Sequence, residues 1–212
     1  MTATARTAIF ASIREHLAAS ARFDEGHHEP ILESDVSVRA VYEDAIERLG
    51  NSLDLVGAHF TAVSSEDEAG EQLREIIRDK SATKIVISDS GLVRRLTEGV
   101  ETIEDASREE LFASDIGITS AQWAIAETGT LVLESTAERH RLVSLVPPVH
   151  VCVVSAGTIR HSMSEILELL DTNANPAVTF ITGASRTSDI ELTLAIGVHG
   201  PRELFLIVIK DR

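Results

Sequence analysis

The sequence predicts an α/β fold: a mostly parallel central sheet, flanking helices and an N-terminal helical extension. Three observations carry this expectation. Apolar, β-branched runs alternate with stretches of helical periodicity through the first half of the chain. Helix stop and start residues fall between them, such as Gly50 and the capping-box pattern Ser65-Glu66-Asp67-Glu68. The apolar fraction, 43% of 212 residues, suffices for the core of one ordinary domain or two small ones.

Taken in order, Ile9, Phe10, Ile13 and Leu17 recur at helical spacing and predict an amphipathic helix over residues 5–20. Residues 21–34, with Gly26, His27, His28 and Pro30, read as a linker. Its adjacent histidines lack the third ligand a metal site needs. A second helix places Val38, Val41, Tyr42, Ala45, Ile46 and Leu49 on one face and stops at Gly50. Residues 53–63 read as strand, and the helix opened by Ser65 turns Ala69, Leu73, Ile76 and Ile77 inward. Residues 84–88 form a short buried strand, followed by a helical turn from Gly91 to Leu96. The acidic stretch 97–110 has the character of a solvated loop or helix face rather than a calcium loop.

The middle of the chain changes character. Residues 120–126 read as a short helix, and 130–134, 141–146 and 149–155 as closely spaced strands. Such spacing suggests antiparallel pairing beside the parallel sheet. Residues 162–171 restore a helix with Met163, Ile166, Leu167 and Leu170 inward. Residues 178–182 and 204–209 read as the last two central strands.

Composition narrows the function. A formal charge of −15 argues against nucleic acid and anionic membrane surfaces as partners. No run reaches the roughly 18 apolar residues that span a bilayer, and the first residues lack a long apolar signal core. The single cysteine, Cys152, allows no internal disulfide and no all-cysteine cluster or zinc site within this chain. The expected location is the cytoplasm. No cofactor is evident: GxGxxG, GxxxxGK[ST] and HExxH are all missing, and Gly183-Ala184-Ser185-Arg186-Thr187 lacks the second glycine of a nucleophile elbow.

Two polar stretches remain as candidate chemistry. After the apolar run 178–182, Gly183, Ser185, Arg186, Thr187, Asp189 and Glu191 form a small-residue loop able to receive an anion at the carboxyl end of a strand. The plainer reading is a strand-to-helix turn with Ser and Thr caps. Glu127-Thr128-Gly129-Thr130 sets a carboxylate beside a glycine at the mouth of a strand, where it serves as base or nucleophile or is merely solvated. Trp123 reads as core, and His150, inside an apolar run, as a structural histidine with catalysis the lesser reading. His199, before Gly200-Pro201, is the better catalytic candidate. Arg186 and Arg202 are suited to clamp a small anionic ligand or to pair with Asp189 and Glu203. These stretches are expected to converge on one pocket at the carboxyl ends of the sheet.

Residues 115–119 and 126–130, Leu145-Val146-Pro147-Pro148-Val149-His150, the run Ser185–Glu191 and Gly197-Val198-His199-Gly200-Pro201 together resemble the LUD domain family over roughly residues 40–212. The corresponding division is a helical extension and linker at 1–35 and a LUD-type α/β domain at 36–212. The resemblance implies a fold like the NagB, ribose-5-phosphate isomerase and CoA-transferase group. It also implies a role in oxidising L-lactate to pyruvate with iron–sulfur partner proteins, which would hold the clusters this chain has too few cysteines to ligate. Glu127-Thr128-Gly129 is similar to the Glu-Asn-Gly of some CoA transferases of that fold. The alternative is therefore a free-standing acyl- or CoA-type transferase with Glu127 as nucleophile.

Overall fold

The computed structural model describes residues 3–20, 41–135, 141–170, 177–187, 195–196 and 200–210. The chain divides into two units, Met1–Val38 and Arg39–Arg212. The first contains helix α1 (Ala3–Ser20), on which Ile9, Phe10 and Ile13 remain about half exposed. His27 and His28 lie outside the described residues.

In the second unit α2 (Ala45–Leu55) leads to β1 (His59–Val63), α3 (Glu66–Asp79), β2 (Ile85–Ile87), α4 (Gly91–Leu96), α5 (Arg108–Phe112) and β3 (Ile116–Ser120). Each longer helix has a reason to start where it does. Asp44 accepts from the Ile46 and Glu47 N–H groups at 2.9 and 3.0 Å, and Ser65 accepts from Glu68 N–H at 3.2 Å. Ser107 and Glu110 complete a reciprocal capping box on α5 inside the acidic stretch. Gly50 does not stop α2. The Phe60 ring lies 2.9 Å from where a Cβ would sit, so the glycine admits a strand side chain against the helix, and β1 begins only at His59.

β4 (Trp123–Ile125), β5 (Thr130–Glu134), β6 (Val149–Ser155), β7 (Ile159–Arg160), α6 (Met163–Leu169), β8 (Val178–Thr182), β9 (Arg186–Thr187), β10 (Ala195–Ile196) and β11 (Glu203–Ile209) follow. Five strands form an all-parallel sheet in the order β1-β11-β6-β3-β2, with Val149 of β6 in register with Glu203 and Ile116. Four others form a second, mixed sheet, β7-β4-β5-β8, and β9 pairs antiparallel with β10.

The layers follow from strand alternation. One face of the parallel sheet buries Ile85, Ile118, Val151 and Ile207 against Leu73 and Ile76 of α3 and Val93 and Leu96 of α4. The other buries Cys152, Val154, Leu206 and Val208 against Leu49 and Leu53 of α2 and Ala124, Leu131 and Leu133 of the second sheet. Ile166 of α6 covers Ile125 and Val132 on the second sheet's outer side.

The structure corrects four further sequence expectations. Residues 120–126 are not helical: Trp123 and Ile125 face α6 while Ala124 and Ala126 face the parallel sheet, which is the period of a strand. Residues 178–182 form an edge of the second sheet rather than a central strand, with Phe180 and Thr182 exposed. Residues 141–144 form a 3-10 turn that drives Val143 into a small core with Val86 and Leu111. Leu167 points outward at 62% exposure, leaving Ile166 as the buried anchor of α6.

Candidate functional site

The turn joining β4 to β5 is the most tightly fastened polar element of the second sheet. Ile125 and Thr130 pair across it, and Gly129 closes it with φ +68° and an N–H···O bond of 3.0 Å to Ile125. A Cβ on Gly129 would lie 3.0 Å from Leu53 N and Ser52 C, so glycine is required both for the conformation and for the approach to α2. Ser52 Oγ donates to the carbonyls of Ala126 (2.8 Å) and Glu127 (3.2 Å), and Arg48 Nη2 donates to the Glu127 carbonyl at 3.2 Å. From the other side, Glu127 N–H donates to His161 O at 3.1 Å. The backbone is thus held at three points while the Glu127 and Thr128 side chains remain exposed.

The arginine and the histidine are themselves positioned. The Arg48 guanidinium lies 5.0 Å from the centre of the Tyr42 ring. His161 Nδ1 accepts the Tyr42 N–H at 3.1 Å, which leaves the proton of the neutral imidazole on Nε2. Sequence reading missed Arg48, Ser52, Tyr42 and His161 as partners of this turn. The available signal was the pair Arg48 and Ser52, one helical turn apart on α2.

Three threonine hydroxyls continue the site across the sheet. Thr128 Oγ1 and Thr130 Oγ1 are 2.6 Å apart, and Thr130 Oγ1 and Thr182 Oγ1 are 2.7 Å apart. Thr130 is 2% exposed, whereas Thr128 and Thr182 reach solvent at the two ends. Beyond Thr182 the chain turns at Gly183 (φ +75°), where a Cβ would sit 2.8 Å from Val56 O at the end of α2. Arg186 then donates from Nη2 to the same Val56 carbonyl at 2.6 Å, above Gly57, whose absent Cβ leaves the guanidinium its room. A cation at a helix carboxyl end also meets the negative pole of its dipole.

The structure therefore brings Glu127, Thr128, Gly129 and Thr130 together with Gly183 and Arg186 around the last turn of α2. Ser185 donates from N–H to Pro201 O at 2.8 Å, and Arg202 from N–H to Pro148 O at 2.7 Å. This fixes Ser185 and Arg202 beside the amino ends of β6 and β11, not at carboxyl ends as the sequence suggested. The cause is chain reversal: β4 runs back from the carboxyl end of β3, and β8, antiparallel to β5, finishes at the same side as the turn. Thr187 is described only as a residue of β9, in register with Ala195. Asp189, Glu191 and His199 lie outside the described residues.

His150 is wholly buried on β6, bonded through Nε2 to Thr119 Oγ1 at 2.9 Å, and burial pushes its pKa down to about 3. It is a neutral core residue. Among the described residues no group of three His, Cys, Asp or Glu side chains gathers to hold a metal, and no helix is long and apolar enough to cross a membrane.

Arg186→Ala should lower the melting temperature by about 2–4 °C, because the bond to Val56 O is worth about 1 kcal/mol at an exposed site in a domain of this size. Thermal unfolding followed by circular dichroism reads this directly. An unchanged melting temperature would free Arg186 from a purely structural role.

The layers define an α/β domain with a mostly parallel sheet and a polar turn cluster between its second sheet and a helix. The LUD domain model matches residues 46–209, and the chain belongs to that family. It is 41% identical over 158 residues to an uncharacterized protein of Neisseria meningitidis serogroup B, covering 72% of this chain and 68% of that one. It is 33% identical over 159 residues to lactate utilization protein C of Deinococcus radiodurans, covering 72% and 74%. With lactate utilization protein C of Bacillus subtilis it shares 34% identity over 121 residues, 54% of this chain and 48% of that relative. The crystal structure of a DUF162 family protein from Deinococcus radiodurans superposes with a TM-score of 0.62 at 26% identity, covering 78% of this chain and 96% of that one.

Proposed function

We propose that this chain is the cluster-free subunit of a cytoplasmic system that oxidises L-lactate to pyruvate with iron–sulfur partner proteins. The observation that carries the proposal is the 33% identity over 159 residues to a lactate utilization protein C. Oxidation of the lactate carbinol breaks its C–H and O–H bonds and releases two electrons and two protons. The electrons would pass to the partners' clusters, which the one buried cysteine of this chain cannot ligate, and the two protons to a base of this chain and to solvent. In this reading the Glu127–Thr130 turn, Thr182 and the Gly183–Arg186 segment bind a small carboxylate, with Glu127 as the proton acceptor.

Deleting the gene should abolish growth on L-lactate as sole carbon source while growth on pyruvate persists. Reintroduced Glu127→Gln should restore no more than about a hundredth of the wild-type lactate oxidation rate, the contribution usual for a general base. Its side chain is exposed, so the variant should melt with the wild type. Unimpaired growth of the deletion strain on L-lactate would refute the assignment.

The exposed carboxylate on a backbone fastened by Arg48, Ser52 and His161 also favours a second reading, a CoA-type transferase. There the Glu127 carboxylate would attack an acyl-CoA thioester carbonyl, forming a mixed anhydride and expelling the CoA thiolate. A hydroxylamine-sensitive adduct on Glu127 after incubation with acyl-CoA selects this reading, and an unmodified Glu127 eliminates it.

A further inference from the structure

The two edges of the parallel sheet are finished differently. The β2 edge is covered by the segment at Ile103: Ile87 N–H donates to Ile103 O at 3.0 Å and Ile103 N–H to Ile85 O at 2.8 Å. β1 pairs with β11 on its inner side, and no described residue pairs with its outer side. Lys210 N–H donates to Val63 O at 2.9 Å, which fixes the phase of the strand. Residues 59, 61 and 63 turn their backbone groups toward β11, so Phe60 and Ala62 turn theirs outward. The N–H groups flanking this pair are satisfied, Ala58 by Leu53 O at 3.0 Å and Ser64 by Glu68 Oε2 at 2.8 Å. Two donors and two acceptors remain, the complement of one short added strand.

The sequence of this edge, His59-Phe60-Thr61-Ala62-Val63, carries none of the lysine or proline residues that natural edges use to repel another strand. Between β1 and α3 runs a groove of about 400 Å³ whose lining includes Asp54, Glu75 and Asp79. None of the three has a cationic partner among the described residues. Lys80, next in sequence to Asp79, is taken by both Glu203 oxygens at 2.6 and 2.7 Å. We infer that the β1 edge docks an extended segment of a partner protein bearing lysine or arginine, which adds a sixth strand to the sheet and sets its cations against Asp54, Glu75 and Asp79. A second copy of this chain fits poorly, because each copy carries a formal charge of −15 and would bring the same carboxylates to the seam.

The probe is a fluorescein-labelled, end-blocked peptide of alternating lysine and valine, with a glutamate-for-lysine peptide as control, titrated into the full chain. The lysine peptide should bind, weaken as salt is raised, and slow hydrogen exchange at the Phe60 and Ala62 amides, which should exchange freely in the chain alone. Ala62→Pro removes an outward donor without touching the β11 ladder, and Glu75→Gln with Asp79→Asn removes charge without touching the backbone. Each should weaken binding about tenfold, and the charge variant should also flatten the salt dependence. The inference is overturned if both peptides bind alike or neither binds, or if neither variant changes affinity. It is also overturned if the two amides are protected in the monomer, which makes the occupant a segment of this chain, or if Ala62→Pro dissolves a dimer seen by light scattering, which makes it a second copy.

Discussion

Gly117→Ala should lower the melting temperature by roughly 6–12 °C, the largest loss expected from a single added methyl in this domain. Gly117 lies on β3, where its missing side chain faces the 3-10 turn at 141–144. A Cβ there would fall 2.0 Å from Val143 O and 2.8 Å from Pro147 Cγ. Neither neighbour is the free end of a flexible side chain. One is a backbone carbonyl of the turn that seats Val143 against Val86 and Leu111, so relief requires lifting that small core away from the sheet. Overpacking of this kind costs about 1–3 kcal/mol, and the carbonyl contact puts Gly117 at the upper end. Gly91→Ala is the control. It sits at the first position of α4, where the nearest atom to a new Cβ is Arg95 Nη1 at 3.8 Å, and its melting temperature should stay level or rise. Calorimetry that finds the two variants melting together would show that the turn yields without loss.

Apart from β3, which was not read as a strand, the parallel sheet was legible because buried parallel strands write themselves as continuous apolar runs. Residues 85–87, 149–154 and 204–209 are of that kind, and the helices between them carry their own caps. The second sheet was not, and Trp123-Ala124-Ile125-Ala126 shows why. Four apolar residues fit a helical turn and a strand equally well, and only the layers on either side, α6 and the parallel sheet, decide between them. Val178–Thr182 has the composition of a strand, but composition does not say whether a strand has one neighbour or two. The same limit applies to the site. Gly129 and Gly183 announced tight turns, whereas the groups that fasten the Glu127 turn come from far along the chain. Arg48 is 79 residues from Glu127, and the Tyr42–His161 contact spans 119. A single sequence carries no mark of such pairs, and the reversal of β4, which moves the site to the amino ends of β6 and β11, depends on pairings of the same range.

Acidification from about pH 6.5 should destabilise the fold through His150, and the sign follows from the two states. Unfolded, His150 titrates near its ordinary 6.5. Folded, it is wholly buried with Nδ1 lacking any partner among the described residues, and burial holds its pKa down to about 3. Between those values the unfolded chain binds a proton that the folded chain refuses. The stabilisation is therefore fully present above pH 6.5, is lost as pH falls toward 3, and changes no further below that. Each pH unit in the window is worth about 1.4 kcal/mol, so the whole effect approaches roughly 5 kcal/mol, comparable with the total stability of a small domain. Other histidines and the many carboxylates add slopes of their own, and a variant separates them. His150→Gln keeps an amide within reach of Thr119 Oγ1 but cannot be protonated. It should be less stable than the wild type at pH 7.5, yet lose about 1.4 kcal/mol less per pH unit between about pH 6 and pH 4. Urea unfolding at a series of pH values gives both curves. Parallel curves would mean that His150 reaches solvent or finds a buried acceptor for its imidazolium, against its full burial and its one hydrogen bond among the described residues, to Thr119 Oγ1.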